Sequence, residues 1–375
     1  MLENVLGIRL VLLAGPSVPL PAPYELMTAL TRLEVTNDSA QGDGFQLTVT
    51  LARSGVADYD LLQGGTLAPM TRVVVGVMFG VVPEVLIDGV ITHTQFNPGS
   101  APGEATLTVT GRDLTTLMDL EEKNASYENQ PDFLIVTGVL AGYARYGIVP
   151  QPTPTTDVPI MLQRIPRQQE TDLQLIRRLA QGNGFVFYLE PVTFGVSTAY
   201  WGPENRLGLP QPALSVNLGS ASNVKSLDFA NDALAVVGTR GVFVEPTTKT
   251  SIPIPALPSL KVPPLAAMPA TPYRTALQRD TAKENSATAA ISALASTMNS
   301  PDPATANGEL DSVRYGTALR ARKLVGVRGA GQTHDGLWYV RRVTHTIMLG
   351  ANAQYSQRFS LSREGTGALT PVVRP

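Results

Sequence analysis

The chain of 375 residues is long enough for two to four domains, each with its own hydrophobic core. Its net charge of −2 argues against a basic surface for nucleic acid, and its lack of cysteine excludes disulfides and thiolate metal sites. Charged residues make up 16% of the chain, against roughly 25% in ordinary soluble domains. Two explanations stay open: other subunits cover much of the surface, or a Thr/Ser/Gln-rich surface replaces the charges.

Residues 1–118 are dominated by alternation of apolar and polar side chains. Apolar residues at 45, 47, 49 and 51 alternate with Gln46, Thr48 and Thr50, and the segment 105–110 alternates in the same way. This period of two predicts half-buried antiparallel strands with a Thr-rich polar face. The apolar run Val73–Val82 is too short to cross a membrane as a helix and predicts a buried strand. A short helix is predicted at Arg112–Leu120.

The middle of the chain changes to a mixed pattern. Pro131 stands where a helix would begin, and Gly147 is a plausible end for that helix. A second helix is predicted at Thr171–Gln181, with Gly182 as its stop. Asn183-Gly184 then turns into an aromatic strand, Phe185–Leu189.

Strands return at Asn223–Glu245 and occupy the last 65 residues. Between them, residues 246–272 contain eight prolines and are predicted to run extended over a surface, without forming a ladder or a helix. An Ala-rich helix is predicted at Arg274–Met298. The final strands are expected at Lys323–Val327, Leu337–Ile347 and 353–361.

Candidate catalytic and ligand-binding residues are few. His334, Asp335 and His345 could be metal ligands or a base with its orienting group, but no further ligand completes a zinc motif. A turn at His334-Asp335-Gly336 and a strand residue at His345 are the simpler interpretation. Glu25, Glu121 and Glu122 could be glycosidase carboxylates, but spacing alone makes no pair. Gly182-Asn183-Gly184 follows a helix and opens a strand, the reverse of a phosphate loop. No catalytic, cofactor or metal site is therefore predicted.

Three stretches resemble a known family. Glu170–Ala180 with Gly182–Tyr188 is similar to the helix-turn-strand of phage late-control D-type tail hub proteins, a unit also found in the hub part of type VI secretion spike proteins. Asn223–Phe229 resembles the strand that follows it. The third stretch resembles the C-terminal barrel strands, especially those of contractile injection system hubs; it consists of 321–329, 335–345 and 357–365.

The resemblance implies a mainly β fold with α+β insertions, in which two similar antiparallel, tube-like barrel domains are joined by helical elements. Residues 1–118 with 222–245 would form the first barrel. Residues 119–221 with 310–375 would form the second, including a helical insertion. Residues 246–309 would be a Pro-rich linker with the Ala-rich helix.

The implied function is structural and not enzymatic: a baseplate hub of a contractile injection system, in which a homotrimeric ring joins the hexameric inner tube to a trimeric spike and passes cargo. Other implied partners are a separate spike chain, the inner tube protein, baseplate wedge and tape-measure proteins, and effector cargo. The apolar segment Leu2–Ala14 carries Glu3 and Arg9 and follows no basic region, so it is not a signal peptide. Assembly is expected in the cytoplasm, as part of a phage tail or tail-like particle. The alternative is a tail-fibre β-sandwich that binds carbohydrate or a receptor through an exposed aromatic platform.

Overall fold

The structure, a computed structural model, describes most of the chain. The described residues are 3–5, 7–16, 18–52, 59, 61, 65–101, 103–159, 165–244, 251–257, 261–277, 295, 298, 300–351 and 353–369. Strands dominate, as the alternation predicted. No helix within these ranges is long and apolar enough to span a membrane.

Twenty-four strands and four α-helices have both of their ends within the described residues. The strands are β1 (Glu3–Val5), β2 (Ile8–Gly15), β3 (Leu20–Pro21), β4 (Leu30–Asp38), β5 (Gly44–Thr50), β6 (Arg72–Phe79), β7 (Val82–Asn97), β8 (Thr106–Asp113), β9 (Glu122–Ser126), β10 (Ile148–Pro152), β11 (Arg167–Thr171), β12 (Val186–Thr193), β13 (Val196–Gly202), β14 (Gln211–Ser215), β15 (Val224–Asn231), β16 (Val237–Val244), β17 (Ser251–Leu257), β18 (Ala266–Pro269), β19 (Arg274–Leu277), β20 (Ala304–Leu310), β21 (Leu324–Arg328), β22 (Gly336–Met348), β23 (Gln354–Arg363) and β24 (Gly365–Ala368). The α-helices are α1 (Tyr24–Ala29), α2 (Asp132–Ala141), α3 (Asp172–Asn183) and α4 (Ser312–Tyr315); 3₁₀ turns occupy Leu114–Met118, Ala144–Tyr146 and Gly219–Ala221.

One 14-stranded sheet joins the two ends of the chain. Its strands run in the order β1-β2-β6-β7-β8-β5-β4-β22-β23-β20-β15, with β21 and β14 continuing from β22 and β3 on β2. The joint between the N-terminal and C-terminal strands is the antiparallel pair of β4 and β22. Residues about 300 positions apart in sequence therefore become neighbours across one ladder.

The sheet is built from two halves with the same strand order. The first repeat contains, in chain order, β2, β4, β5, β6, β7 and β8; the second contains β14, β15, β20, β21, β22 and β23. In both, these six strands lie in space as first, fourth, fifth, sixth, third and second. Apart from the first pair, which is antiparallel in one repeat and parallel in the other, every pairing direction is the same. The predicted pair of similar β domains is thus present in the topology.

The two repeats also match residue by residue at one joint. In the first repeat the backbone amide of Met70 donates to the carbonyl of Ile91, and the amide of Ile91 donates to the carbonyl of Thr71. In the second repeat the backbone amide of Arg322 donates to the carbonyl of Val340, and the amide of Val340 donates to the carbonyl of Lys323. Met70 and Arg322 both have a left-handed backbone, with φ of 65° and 63°.

Each repeat has its own hydrophobic core. The core of the first consists of inward-facing side chains of β2 and β4–β8 and includes Ile347 and Tyr355 from the second repeat. The core of the second surrounds the fully buried Trp338 and the buried Phe359, with Leu227 and Phe229 of β15 packed against it. Alternation along each strand puts these residues on one face of the sheet and polar residues on the other.

Residues between the repeats form a separate unit with mixed structure. It contains α2, α3, the ribbon of β9 and β11, and the sheet of β10, β13 and β12, packed around Trp201. Arg72 of the first repeat forms a buried bidentate ion pair with Asp88 and donates to the carbonyls of Tyr146 (2.9 Å) and Gly195 (3.2 Å). These hydrogen bonds attach the inserted unit to the first repeat.

Helix α3 confirms the second predicted helix and corrects its end. Thr171 caps the N-terminus, with Gln174 completing a capping box. The helix ends at Gly184 rather than at the predicted Gly182, because Gly184 has the left-handed φ of 68° that such a cap requires. The helix that begins after Pro131 likewise ends at Gly142, not at Gly147, which ends the following 3₁₀ turn.

Replacing Thr171 with alanine is expected to lower the free energy of unfolding by about 1–2 kcal/mol, because its hydroxyl accepts from the Gln174 amide and donates to Asp119. Urea unfolding followed by circular dichroism measures this change. Thr171→Ser keeps both hydrogen bonds and is expected to lose less. Equal losses in the two variants would show that the cap contributes nothing.

The predictions for residues 246–298 are wrong in two places. Strand β17 contains Pro253 and Pro255 and pairs with β16, and β18 pairs with β24, so the Pro-rich segment does form ladders. Proline lacks only one hydrogen-bond donor, and β17 is an edge strand in the described sheet, where that loss is tolerated. The start of the predicted Ala-rich helix, Arg274–Leu277, is strand β19. Ala295 and Met298 are helical, and 278–294 lie outside the described residues.

Strand pairing also bears on the predicted domain boundaries. Strand β15 falls within residues 222–245, which the sequence places with the first barrel; in the structure it pairs with β20 and packs on the core of the second repeat. Its alternation specifies a half-buried strand but not its partner strand. The division into two barrel domains otherwise stays a prediction.

Candidate functional site: a polar sheet face with two open edges

Eight neighbouring strands present one continuous polar face. They are the end of β7, then β8, β5, β4, β22, β23, β20 and β15, all paired antiparallel. The polar face consists of outward side chains in register across these strands, with Met348 as an apolar member: His93, Gln95, Thr106, Thr108, Thr110, Arg112, Gln46, Thr48, Thr50, Arg32, Glu34, Thr36, Asp38, Arg342, Thr344, Thr346, Gln354, Ser356, Arg358, Ser360, Asn307, Glu309, Ser226 and Asp228. The Thr face predicted for 46–50 and 106–110 is confirmed, and it extends across both repeats.

Most charges on this face form ion pairs. Arg32 pairs with Glu34 at 2.7 Å, and Arg342 with Asp38 at 3.7 Å. Glu309 accepts from Arg358 and from Lys225, both at 3.2 Å. The face is therefore hydrophilic with little net charge, so it offers weak attraction to either sign of charge.

Both ends of the eight-strand face are open edges among the described strands. At one end, the second half of β7, residues 92–97, continues past the end of β6 and pairs only with β8 among the described strands. At the other end, β15 pairs only with β20 within the described part of the chain. Residues 92–97 are all exposed, as are Asp228 and Ala230. Open edges present unpaired backbone groups that another strand can use.

A buried ion pair joins the two repeats behind the polar face. The guanidinium of Arg322 donates to both carboxylate oxygens of Asp43 and to the carbonyl of Asp38, and lies 4.6 Å from the ring centroid of Tyr188 in the inserted unit. Asp113 lies close by; burial, reinforced by the Asp43 carboxylate, raises the pKa of Asp113 to about 6. Arg322 thus contacts the first repeat and the inserted unit from the second repeat.

A larger buried cluster gathers three cations and three carboxylates. Asp302 accepts from Lys261 (2.8 Å), Arg341 (2.6 Å) and the Ser362 hydroxyl (2.6 Å). Arg206 donates to Glu364 at 2.7 Å and to Glu204 at 3.2 Å, and Arg341 also pairs with Glu204. We call these residues the Asp302 cluster; its members are Lys261, Arg206, Arg341, Asp302, Glu204, Glu364 and Ser362. They join the inserted unit, the Pro-rich segment and strands β22 and β23 beside a cavity of about 350 Å³.

The residues considered for catalysis lie apart. The ring of His334 stacks on Phe229, with centroids 4.3 Å apart, and Asp335 accepts from the Ala330 amide in the turn before β22. His345 is fully buried and contacts the Tyr355 hydroxyl at 2.8 Å. Burial and nearby Arg320 lower the pKa of His345 to about 3, so it is neutral at pH 7. His345 pairs across the ladder with Gln357 and Val35, not with His334.

The carboxylates and the turn that were considered as candidates do not assemble into a site either. Glu25 lies in the first turn of α1, and Glu121 and Glu122 are exposed at the start of β9. Gly184 of the Gly-Asn-Gly turn is a helix cap. No group of three or more metal-ligating side chains occurs among the residues that the structure covers. Both tryptophans, Trp201 and Trp338, are fully buried, so neither supplies the aromatic platform of the carbohydrate-binding alternative.

Comparisons with known proteins place this geometry in one structural class. No protein-family model and no curated protein matches the sequence. Among solved structures, the chain is similar to the tail protein from Neisseria meningitidis MC58, with 14% identity, a TM-score of 0.60, and coverage of 95% of this chain and 97% of that one. The 43 kDa tail protein of prophage MuSo2 from Shewanella oneidensis matches with 15% identity, a TM-score of 0.60, and coverage of 95% and 98%.

A third similar structure comes from a secretion system. The E. coli c3393 protein, a component of the type VI secretion system with structural similarity to the T4 bacteriophage tail proteins gp27 and gp5, has 13% identity and a TM-score of 0.55. The match covers 92% of this chain and 77% of that protein. The fold of this chain is therefore the phage-tail hub fold, which tail proteins share with this secretion component.

Proposed function

We propose that this chain is a non-enzymatic hub subunit of a contractile phage tail or phage-tail-like injection system. Three copies would form a ring that joins the sixfold inner tube to a threefold spike, with cargo passing through the lumen. The single observation that carries the proposal is the eight-strand polar face built from two repeats that share one spatial order of strands. Two repeats in each of three copies provide six similar units, which suits a junction between sixfold and threefold neighbours.

The polar face suits the wall of a passage. Three copies of eight strands would give a ring of 24 strands; at roughly 4.8 Å per strand its circumference is about 115 Å and its backbone diameter about 37 Å. Thr, Ser, Gln and neutralised charges on the inside would let cargo pass without strong binding. The hydrophobic cores of both repeats would lie outside this wall, where they support it.

The proposed partners follow from the same arrangement. The inner tube protein would contact one rim of the ring, and a spike protein would contact the other. Baseplate wedge and tape-measure proteins would adjoin the hub during assembly, and effector cargo would be carried in its lumen. Similarity to type VI secretion and phage tail structures supports the association with a spike. Assembly would take place in the cytoplasm.

The oligomeric state tests the proposal directly. We expect a species of three times 39.9 kDa, about 120 kDa, by mass photometry, either with rising concentration or on adding the neighbouring spike protein. Negative-stain images of that species should show a ring with a central opening. A monomer under all of these conditions, or a dimer with twofold symmetry, would contradict the proposed hub.

A further inference from the structure

The joint between the two repeats shows how a repeat of a second copy of the chain could be joined to this one. Strand β22 leaves β21 after Tyr339, shifts register between Val340 and Arg342, and then pairs through Arg342–Met348 with β4 of the first repeat. Strand β7 leaves β6 in the same way and shifts register between Ile91 and His93. The second half of β7 thus has the same geometry as the second half of β22. The second half of β22 pairs with β4, whereas among the described residues no strand pairs with that side of β7.

The strand that corresponds to β4 in the second repeat is β15, the other open edge. Both are the second strand of their repeat, and both lie at the outer end of its spatial order. The exposed second half of β7 and the exposed β15 are therefore the two complementary sides of a joint that is already made once inside the chain. Within one copy these two edges are not paired with each other, and they lie at opposite ends of the eight-strand face.

Strand direction is compatible with closure between copies. The eight strands alternate in direction, so β7 and β15 run in opposite directions. Copies arranged head to tail around an axis along the strands would bring these edges together as an antiparallel pair. The same operation keeps the polar face on one side throughout. A cyclic ring of copies is thus the arrangement that repeats the internal joint.

Residue equivalence then defines the register. Ile91 corresponds to Val340 through their shared hydrogen bonds, so His93 corresponds to Arg342 and Gln95 to Thr344. Residues that are paired from strand to strand form a row across the sheet. Glu34 lies in the same row as His93, and Asp228 lies in the same row as Arg342. Asp228 of β15 is therefore the structural equivalent of Glu34 of β4. The same difference in residue number relates every other equivalent pair of residues along these two strands.

We infer that β15 of one copy pairs antiparallel with residues 92–97 of the next, with Gln95 opposite Ala230. This rests on the proposed function and deepens it by naming the contact between subunits. The same register puts His93 opposite Asp232 and Asn97 opposite Asp228. In the joint within the chain, the equivalent pair of residues is Arg342 and Asp38, which form an ion pair at 3.7 Å. A cation-capable side chain faces a carboxylate in both joints.

Disulfide trapping tests this register, because the natural chain contains no cysteine. A double variant, Gln95→Cys with Ala230→Cys, places two thiols directly opposite across the proposed antiparallel pair, within disulfide reach. Thr36→Cys with Thr344→Cys is the matched internal control, since these hydroxyl oxygens already lie 3.2 Å apart in the equivalent position. Gln95→Cys with Ser226→Cys is the offset control, four residues or about 13 Å along the strand.

Mild oxidation followed by denaturing electrophoresis gives distinct results. We expect the Gln95/Ala230 pair to form covalent dimers and trimers and no larger species, since a three-membered ring closes. The internal control should stay monomeric with its thiols consumed, and the offset pair should stay uncrosslinked. Trimers by mass photometry that crosslink only through the offset pair, or not at all, would overturn the register while leaving the hub intact. Absence of any trimer would overturn both.

Discussion

Replacing Arg322 with methionine is expected to lower the free energy of unfolding at pH 7 by about 3–5 kcal/mol, the usual effect of removing one partner from a buried ion pair. The side chains of Arg322 and Asp43 are 3% and 2% exposed, so water cannot solvate the carboxylate that is left behind. Methionine suits this position sterically, because Met70 adopts the same left-handed backbone at the equivalent place in the first repeat. Urea unfolding followed by tryptophan fluorescence measures the change.

The matched control removes an arginine from an exposed pair. Arg32 and Glu34 are 50% and 33% exposed, so Arg32→Met should change stability by no more than about 1 kcal/mol. If Arg322→Met lost as little as Arg32→Met, the buried pair would not be what holds the two repeats together.

The loss in Arg322→Met should also depend on pH. Burial and Asp43 already raise the pKa of Asp113, to about 6, above its unfolded value. A raised carboxyl pKa gives stability that is present at low pH and lost as the pH rises towards 6. Without the Arg322 charge this pKa rises further, so the variant should be closer to wild type at pH 5 than at pH 7.

Local features of the fold could be predicted from sequence because they depend on neighbours in the chain. The alternation at Phe45–Thr50 determines which side chains of β5 face the core, and the structure places Phe45, Leu47 and Val49 inside. Helix α3 was predicted from its apolar spacing and its glycine-rich end. The apolar run Val73–Val82 predicts a buried strand, and the structure confirms it only as far as Phe79, because Gly80 begins a turn in which Val81 is exposed.

The duplication of the sheet was hidden from sequence for a physical reason. A period of two specifies which face of a strand is buried, but any apolar residue of suitable size satisfies it. Met70 and Arg322 occupy equivalent positions with different chemistry, since one repeat needs a cation opposite Asp43 and the other does not. Similar backbones therefore carry dissimilar residues.

The charged clusters could not be predicted because their members are far apart in the chain. Asp43 and Arg322 are separated by 279 residues, and Arg206 and Glu364 by 158. The sequence shows each as an isolated charge, which ordinarily predicts a surface position. These charges become neighbours in the folded chain. The pairing of β4 with β22 brings the two repeats together, and the pairing of β18 with β24 holds the Pro-rich segment beside the Asp302 cluster.

Replacing Asp302 with asparagine is expected to lower the free energy of unfolding by about 3–5 kcal/mol at pH 7. Asp302 is almost fully buried and accepts from Lys261 and Arg341, so its neutral replacement leaves an excess of one positive charge in the cluster. Thermal and urea unfolding measure the loss. Glu128→Gln removes an exposed carboxylate and should change stability by less than about 0.5 kcal/mol.

The Asp302 cluster should also make the native protein sensitive to acid. Burial alone would raise the pKa of Asp302, but Lys261, Arg341 and Arg206 outweigh it and hold that pKa well below its usual range. A depressed carboxyl pKa gives stability that is present above the unfolded value, about 4, and is lost as the pH falls below it. Asp302→Asn lacks this contribution, so the difference in stability from wild type should narrow between about pH 5 and pH 3. A constant difference across that range would mean that Asp302 acts through its shape and hydrogen bonds and not through its charge.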